Sequence, residues 1–273
     1  MNRNRTLAGN LVFYLGLTVV LLAFVFPFLW MIFNSFKPGE QLMQMPPDWL
    51  YPPTMMNYRN VFLETPFFFR TMNSFILAGS AVAFGLMLGL PAAYSIARYE
   101  RKLLGFAILM VRMVPGISFL VPWFIMYRVL GILDSYPGIV ASHLVLTLPL
   151  IIWIMIGFFE DVPEEIEEAS IIDGCSKWQS FVLIALPLCR AGLATAAILA
   201  FVFSWNHFLF ALILAGPRTN TLPVTIFEFM TYEEIDFGGI YAAATLITAP
   251  IIILVLIIQN QFVEGLTMGG LKG

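Results

Sequence analysis

Glu168-Ala169-Ser170, three further residues, Gly174, nine further residues and then Ile184-Ala185-Leu186-Pro187 make a polar, acid-led segment between long apolar runs. Its local chemistry predicts two short helices at an angle. Asp161 offers a side-chain acceptor near an N-cap, Pro163 suits a first helical turn, and Glu164, Glu165, Glu167 and Glu168 stand towards the positive end of the helix dipole. The first helix is expected over 163–172. Asp173-Gly174 supplies a turn, because glycine accepts the positive φ that other residues resist. Ser176-Lys177-Trp178-Gln179 fits the S-x-x-Q capping box that opens a second helix, which Pro187 ends. With Ile166, Ala169 and Phe181 as apolar surface and Glu168 as a charge, the pair forms a knob suited to a groove on another protein. The alternative is an ordinary polar loop between apolar spans.

Composition places that knob in a membrane protein. The chain is 60% apolar and 11% charged, against a usual charged share of about 25%. A helix needs about 20 apolar residues to cross a bilayer. Six such runs lie at 11–36, 72–97, 104–127, 137–159, 191–215 and 240–263. The first, apolar from Leu11 to Phe33, is too long for a cleaved signal peptide, and no small-residue cleavage site follows it; it is expected to stay as an anchor. The fold class is therefore all-α: a single transmembrane domain over 11–263, a two-helix loop over 160–190, loops at 37–71 and 216–239 on the other side, and a tail over 264–273.

Lys and Arg counts set the orientation. With the N-terminus inside, Arg3, Arg5, Arg98, Arg101, Lys102, Lys177, Arg190 and Lys272 are cytoplasmic, against Lys37, Arg59, Arg70, Arg128 and Arg218 outside. Both termini and the acid-led loop then lie in the cytoplasm. A disulfide between Cys175 and Cys189 is not expected in that reducing compartment. His143 and His207 are far apart in sequence, and no Cys/His cluster has the spacing of a metal site. There is no G-x-x-x-x-G-K-[ST] phosphate loop, so the chain does not bind and split ATP by that means.

Further along the chain, Pro46-Pro47, Pro52-Pro53 and Pro66 break regular structure, Trp49, Tyr51 and Tyr58 suit a membrane interface, and Met55 to Phe62 reads as a short interfacial helix. Met113-Val114-Pro115-Gly116 and Pro122 are expected to interrupt the third span, as prolines beside a pathway do when neighbours or water satisfy the freed carbonyls. Arg112 in the same span either snorkels to the interface, pairs structurally or lines a pathway. Ser204, Asn206, His207, Trp123 and Thr147 are the candidate pathway residues, the Asn206 amide being able both to donate to and accept from a polyhydroxylated solute. Hydrogen-bonded packing competes with ligand contact at His207. Phe227, Glu228, Tyr232 and Glu233 mix aromatic and acidic character, which suits either a protein contact surface or a cap over the spans.

The acid-led segment resembles the E-A-A, three residues, G, nine residues, I-x-L-P loop of the membrane subunits of bacterial ABC importers, with Ser170 in place of the second alanine. Around it, Gly157-Phe158-Phe159 before Pro163, the proline-glycine pair at 115–116, Leu130-Gly131-Ile132, Ser204-Trp205-Asn206-His207-Phe208-Leu209 and the ending Phe262-Val263-Glu264-Gly265-Leu266-Thr267 are similar to the six-span permease of maltose-type carbohydrate importers. The likeness extends from Asn73-Ser74 to the last residue. His207 departs from it, standing where an acid is common. The resemblance implies a bacterial or archaeal plasma-membrane permease that imports a sugar by alternating access. Its partners would be a second homologous permease, two ATPase subunits, an external solute-binding protein and membrane lipid, with no nucleic acid. It implies no catalytic residue and no directly bound cofactor or metal, since ATP and Mg belong to the ATPase. It assigns ATPase docking to Glu168, Ala169, Ser170, Asp173, Gly174, Ile184, Leu186 and Pro187.

Two other classes compete with that reading. An ion-coupled secondary carrier usually places ionisable groups mid-membrane and often has inverted repeats, whereas only Arg112 and His207 stand there and no clear repeat is visible. An intramembrane enzyme needs a paired Ser/His, Asp/Asp or His/Glu set within the spans, which the sequence does not offer.

Overall fold

The computed structural model describes residues 7–230 and 235–270, with side chains over 9–230 and 235–257. In chain order its helices are α1 (Leu7–Ser35), α2 (Gly39–Leu42), α3 (Met56–Glu64), α4 (Phe67–Arg98), α5 (Lys102–Val111), α6 (Leu120–Leu130), α7 (Tyr136–Glu160), α8 (Glu164–Ile172), α9 (Lys177–Ser180), α10 (Leu186–Leu188), α11 (Arg190–Trp205), α12 (Leu209–Leu214) and α13 (Phe237–Gly270). A 3₁₀ turn over Gly116–Phe119 precedes α6, a π turn over Phe181–Ala185 joins α9 to α10, and a 3₁₀ segment runs over Leu222–Phe229. No strand occurs among the described residues, where pairing is limited to one bridge between Met230 and Ile235.

Four helices are long and apolar enough to cross a membrane: α1, α4, α7 and α13. Two bent pairs bring the number to as many as six, α5 with the Gly116–Leu130 stretch at 78° and Lys177–Leu188 with α11 at 80°. The break after α5 falls at Pro115, whose missing N–H cannot continue the hydrogen-bond ladder. Pro122, also expected to interrupt, lies in the first turn of α6, where an N–H would be unsatisfied anyway, and the helix runs through it. The expected single run over 191–215 is corrected too: α11 stops at Trp205, the chain turns at Asn206–Phe208, and α12 follows. At the other end α13 starts at Phe237, before the expected 240, and stays helical to Gly270, through most of the expected tail.

Among the described residues, 7–66, 225–230 and 235–248 form one compact unit. Within it Asn57 Nδ2 donates to the Ser35 and Lys37 carbonyls at 2.8 and 2.9 Å, and Ser35 Oγ lies 2.7 Å from Tyr58 Oη. The short helix expected near Met55 is α3. Trp49 and Tyr51 pack on Trp30 and Phe33 of α1.

Residues 67–224 and 249–270 form the second unit. Its main core joins three helices: Leu90, Ala93, Ile96 and Ala97 of α4, Ile151, Ile152, Met155 and Phe159 of α7, and Ala196 and Ala200 of α11. Small residues let membrane helices approach closely. A Cβ on Gly85 of α4 would fall 2.7 Å from Ile151 Cδ1 of α7, so this crossing admits only glycine without a shift. A second cluster gathers Leu77, Leu120, Tyr127, Ile139, Val140, Phe210 and Leu214. Asp134, at φ 51°, ties the turn after α6 to that after α12: it accepts from the Gly216 and Thr219 amides at 2.9 and 3.0 Å and from the Thr219 hydroxyl at 2.8 Å.

Candidate functional site

The acid-led segment folds as two helices joined by a fixed turn. At the end of α8 the Cys175 amide donates to the Ser170 carbonyl and the Gly174 amide to the Ile171 carbonyl, both at 3.0 Å. This is the Schellman pattern, with Gly174 at φ 97° in the position that favours glycine. Ser176 then caps α9: its hydroxyl accepts from the Gln179 amide at 3.2 Å while Gln179 Oε1 accepts from the Ser176 amide at 2.8 Å, completing the expected capping box. The Ser170 and Ser180 hydroxyls, both buried, meet at 2.8 Å and join α8 to α9. Ahead of Pro187, which has no N–H to give, the helix widens to the π turn over Phe181–Ala185. The chain then turns at Cys189, whose thiol donates to the Phe158 carbonyl at 3.2 Å. Burial pushes that thiol up to about 11, so it stays protonated. Both cysteines are free thiols.

Two details differ from expectation. Asp161 is the C-cap of α7, and Pro163 takes the N-cap position of α8 without a side-chain cap. Phe181 is buried, its ring packed against those of Tyr94 and Phe159 at 4.8 and 6.0 Å. The exposed apolar surface of the knob is instead Ile166, Ile171, Ile172, Trp178, Leu183 and Leu188. Ala169, Asp173, Gly174 and Pro187 are also exposed, while Ile184 and Leu186 are half-buried.

The acids of α8 divide by face. Glu164, Glu165 and Glu168 are exposed, whereas Glu167 is buried and the sequence reading gave it no separate role. Arg98, at the end of α4, donates from Nε to Glu167 Oε1 at 2.9 Å and forms an ion pair with the same oxygen through Nη2. Tyr94 donates its hydroxyl to Glu167 Oε2. Arg98 Nη2 also reaches the Val162 carbonyl in the α7–α8 connection at 3.0 Å. Beside this set a cleft of about 220 Å³ is lined by Glu164, Glu168, Tyr99, Ile171 and Lys177 as well as the clamp itself.

The candidate pathway residues come together in part. Ser204 and Thr147 are buried. Ser204 Oγ is 2.7 Å from His143 Nδ1, and Thr147 donates to the His143 carbonyl at 3.1 Å. The two histidines, far apart in sequence, bring their rings to 5.5 Å. Trp123 joins from α6, stacked on Phe210 at 5.1 Å, and His207 packs on Phe210 at 4.3 Å. Asn206 does not join: its amide turns back to the Val202 carbonyl at 2.9 Å. His143 Nε2 and His207 Nδ1 are buried without a hydrogen-bond partner among the described residues. Arg112 caps α5 at the break and lies over the Phe203 ring at 5.2 Å, a cation–π contact. Phe227 and Glu228 are exposed, while Tyr232 and Glu233 lie outside the described residues. No group of three or more metal-ligating side chains occurs among the described residues.

The model of the family described as binding-protein-dependent transport system inner membrane component matches residues 81–267. The chain belongs to this family. Among the permease's relatives is the trehalose transport system permease protein SugB of Mycobacterium tuberculosis, 37% identical over 255 residues, 90% of this chain and 92% of that one. Another is the sulfoquinovosyl glycerol transport system permease protein SmoH of Agrobacterium fabrum, 34% identical over 271 residues, 97% and 95% of the two chains. Its fold matches a bacterial ABC transporter involved in the import of the acidic polysaccharide alginate, with a TM-score of 0.78 at 21% identity, covering 96% of this chain and 100% of that one. The permease is thus a membrane component of a transport system and shares the fold of an ABC importer permease.

Proposed function

We propose that the permease is the six-span membrane subunit of an ATP-driven, binding-protein-dependent importer of a sugar or glycoside. The six spans are α1, α4, α5 with α6, α7, α11 continued by α12 in place of its pairing with Lys177–Leu188, and α13. Both termini and the α8–α10 segment face the cytoplasm, as the Lys and Arg distribution favours. Its partners are a second homologous permease, two ATPase subunits and an external solute-binding protein. The substrate class is supported by the glycoside transport systems to which SugB and SmoH belong.

The observation that carries the reading is the α8–α9 knob: a stiff, twice-capped helix pair that leaves Glu168 and a row of apolar side chains open to a partner. ATP binding closes the ATPase dimer, the knob follows it, and the paired permeases reopen towards the binding protein. A loose loop would lose that movement before it reached the spans. The half-buried His207 and Trp123 offer polar and aromatic surface to the passing solute, with Ser204, Thr147 and His143 buried behind them.

Co-purification with the ATPase tests the docking role. A charge partly desolvated at an interface costs about 2 to 5 kcal/mol when its partner is removed, an exposed one under about 1. Glu168→Lys is expected to lose most of the bound ATPase, while Glu164→Lys and Glu165→Lys keep it. Equal retention by all three variants would remove the assignment.

A further inference from the structure

We propose that Glu167 is the positioning residue that fastens the ATPase-docking element to α4, so that movement of the knob is passed directly to a membrane-spanning helix. The inference rests on the docking role of the α8–α9 knob and assigns the residue that makes it mechanical.

Glu167 is flanked on α8 by acids that point to solvent, yet its own side chain is 8% exposed. A carboxylate pays heavily for leaving water unless its oxygens are satisfied. Here both are: Oε1 takes two hydrogen bonds from the Arg98 guanidinium and Oε2 takes one from the Tyr94 hydroxyl. An apolar pair of similar volume would hold two helices together at least as well. What the charged set adds is direction, because the planar guanidinium donates along fixed lines and resists both sliding and rotation of α8.

The same guanidinium reaches Val162 in the three-residue connection between α7 and α8. One side chain at the end of α4 therefore holds the docking helix and its incoming linker together. Tyr94 extends the fastening to the second half of the knob, its ring packing on Phe181 and Phe159 at 4.8 and 5.5 Å. Glu164, Glu165 and Glu168 stay exposed and are placed to meet a partner, not the permease itself.

The test uses the assembled transporter with ATP and vanadate as the probe. Spin labels are placed at Glu165 on α8, where even a charge reversal is expected to keep the ATPase, and at Met87 on α4, both well exposed, with Cys175 and Cys189 replaced by serine. In the otherwise unchanged permease the label-to-label distance is expected to be narrow and the same with and without nucleotide, since α8 and α4 move as one. Glu167→Gln is expected to keep its ATPase on co-purification but to broaden the distribution at least twofold when ATP and vanadate are added. A merely stabilising residue would lower yield without creating that nucleotide response. A narrow, nucleotide-independent distance in Glu167→Gln overturns the proposal. If that variant does not assemble, Tyr94→Phe, which removes one hydroxyl and keeps the ring, is scored by the same criterion. The co-purification arm reports on docking alone: absence of ATPase from the unsubstituted permease would defeat the docking role, whereas an intact complex with an unchanged distance would defeat only the clamp.

Discussion

The Ser170 and Ser180 hydroxyls lie 2.8 Å apart in the buried seam between α8 and α9. Ser170 stands where the resembled loop carries its second alanine, so the departure from that pattern is a gained hydrogen bond across the knob. Ser170 Oγ also lies 2.7 Å from the Glu167 carbonyl. Leaving one buried hydroxyl unpaired costs about 1 to 3 kcal/mol, whereas removing both partners is close to neutral. Ser170→Ala should therefore lower the melting temperature of the detergent-solubilised permease by about 2 to 4 °C per kcal/mol lost. The double variant Ser170→Ala/Ser180→Ala should recover most of the loss. A double variant as unstable as the sum of the singles would show that the two hydroxyls act independently.

Gly174 holds φ 97° at the Schellman position, with open space where a Cβ would be. A side chain there meets no neighbour and is opposed by the backbone alone, at a cost of about 1 to 3 kcal/mol. Gly174→Val should weaken ATPase co-purification while membrane insertion stays normal, and Gly174→Asn, which tolerates the left-handed region better, should weaken it less. Equal behaviour of the two variants would mean that the turn's conformation does not matter for docking.

Asp134 offers a pH dependence on the opposite side of the proposed topology. Partial burial works against its ionisation, but the Thr219 hydroxyl and the Arg218, Gly216 and Thr219 amides outweigh it and hold the carboxyl below the ordinary value of 3.8. A group whose folded pKa is depressed contributes stability above its unfolded pKa and loses it as pH falls through the folded pKa. The melting-temperature difference between the permease and Asp134→Asn should be constant from neutral pH down to the unfolded value, then shrink as pH falls further. A difference that instead grew on acidification would have the wrong sign for this bonding pattern.

Much of the architecture was legible because bilayer length and backbone chemistry act locally. The apolar runs behind α1, α4 and α7, the glycine turn at 174 and the Ser176–Gln179 box each follow from neighbouring residues. What was missed depends on contacts made across the chain. Glu167 reads like its acidic neighbours until Arg98, 69 positions earlier, is brought beside it. His143 carries no local motif, and its link to Ser204 spans 61 positions. Phe181 reads as apolar surface of the knob until Tyr94 of α4 and Phe159 of α7 are brought against it. Asp161 has the chemistry of an N-cap, but α7 extends to Glu160 and leaves it as a C-cap.

The energy source separates an ATP-driven permease from the ion-coupled carrier that also suits a polytopic apolar chain. Uptake should be measured in proteoliposomes holding the permease, its partner permease and the ATPase, with the binding protein outside and a labelled sugar first identified as its ligand by calorimetry. With ATP enclosed, uptake is expected to proceed unchanged when ionophores collapse every ion gradient, and to stop when ATP is withheld. Uptake driven by a proton or sodium gradient without ATP would contradict the account.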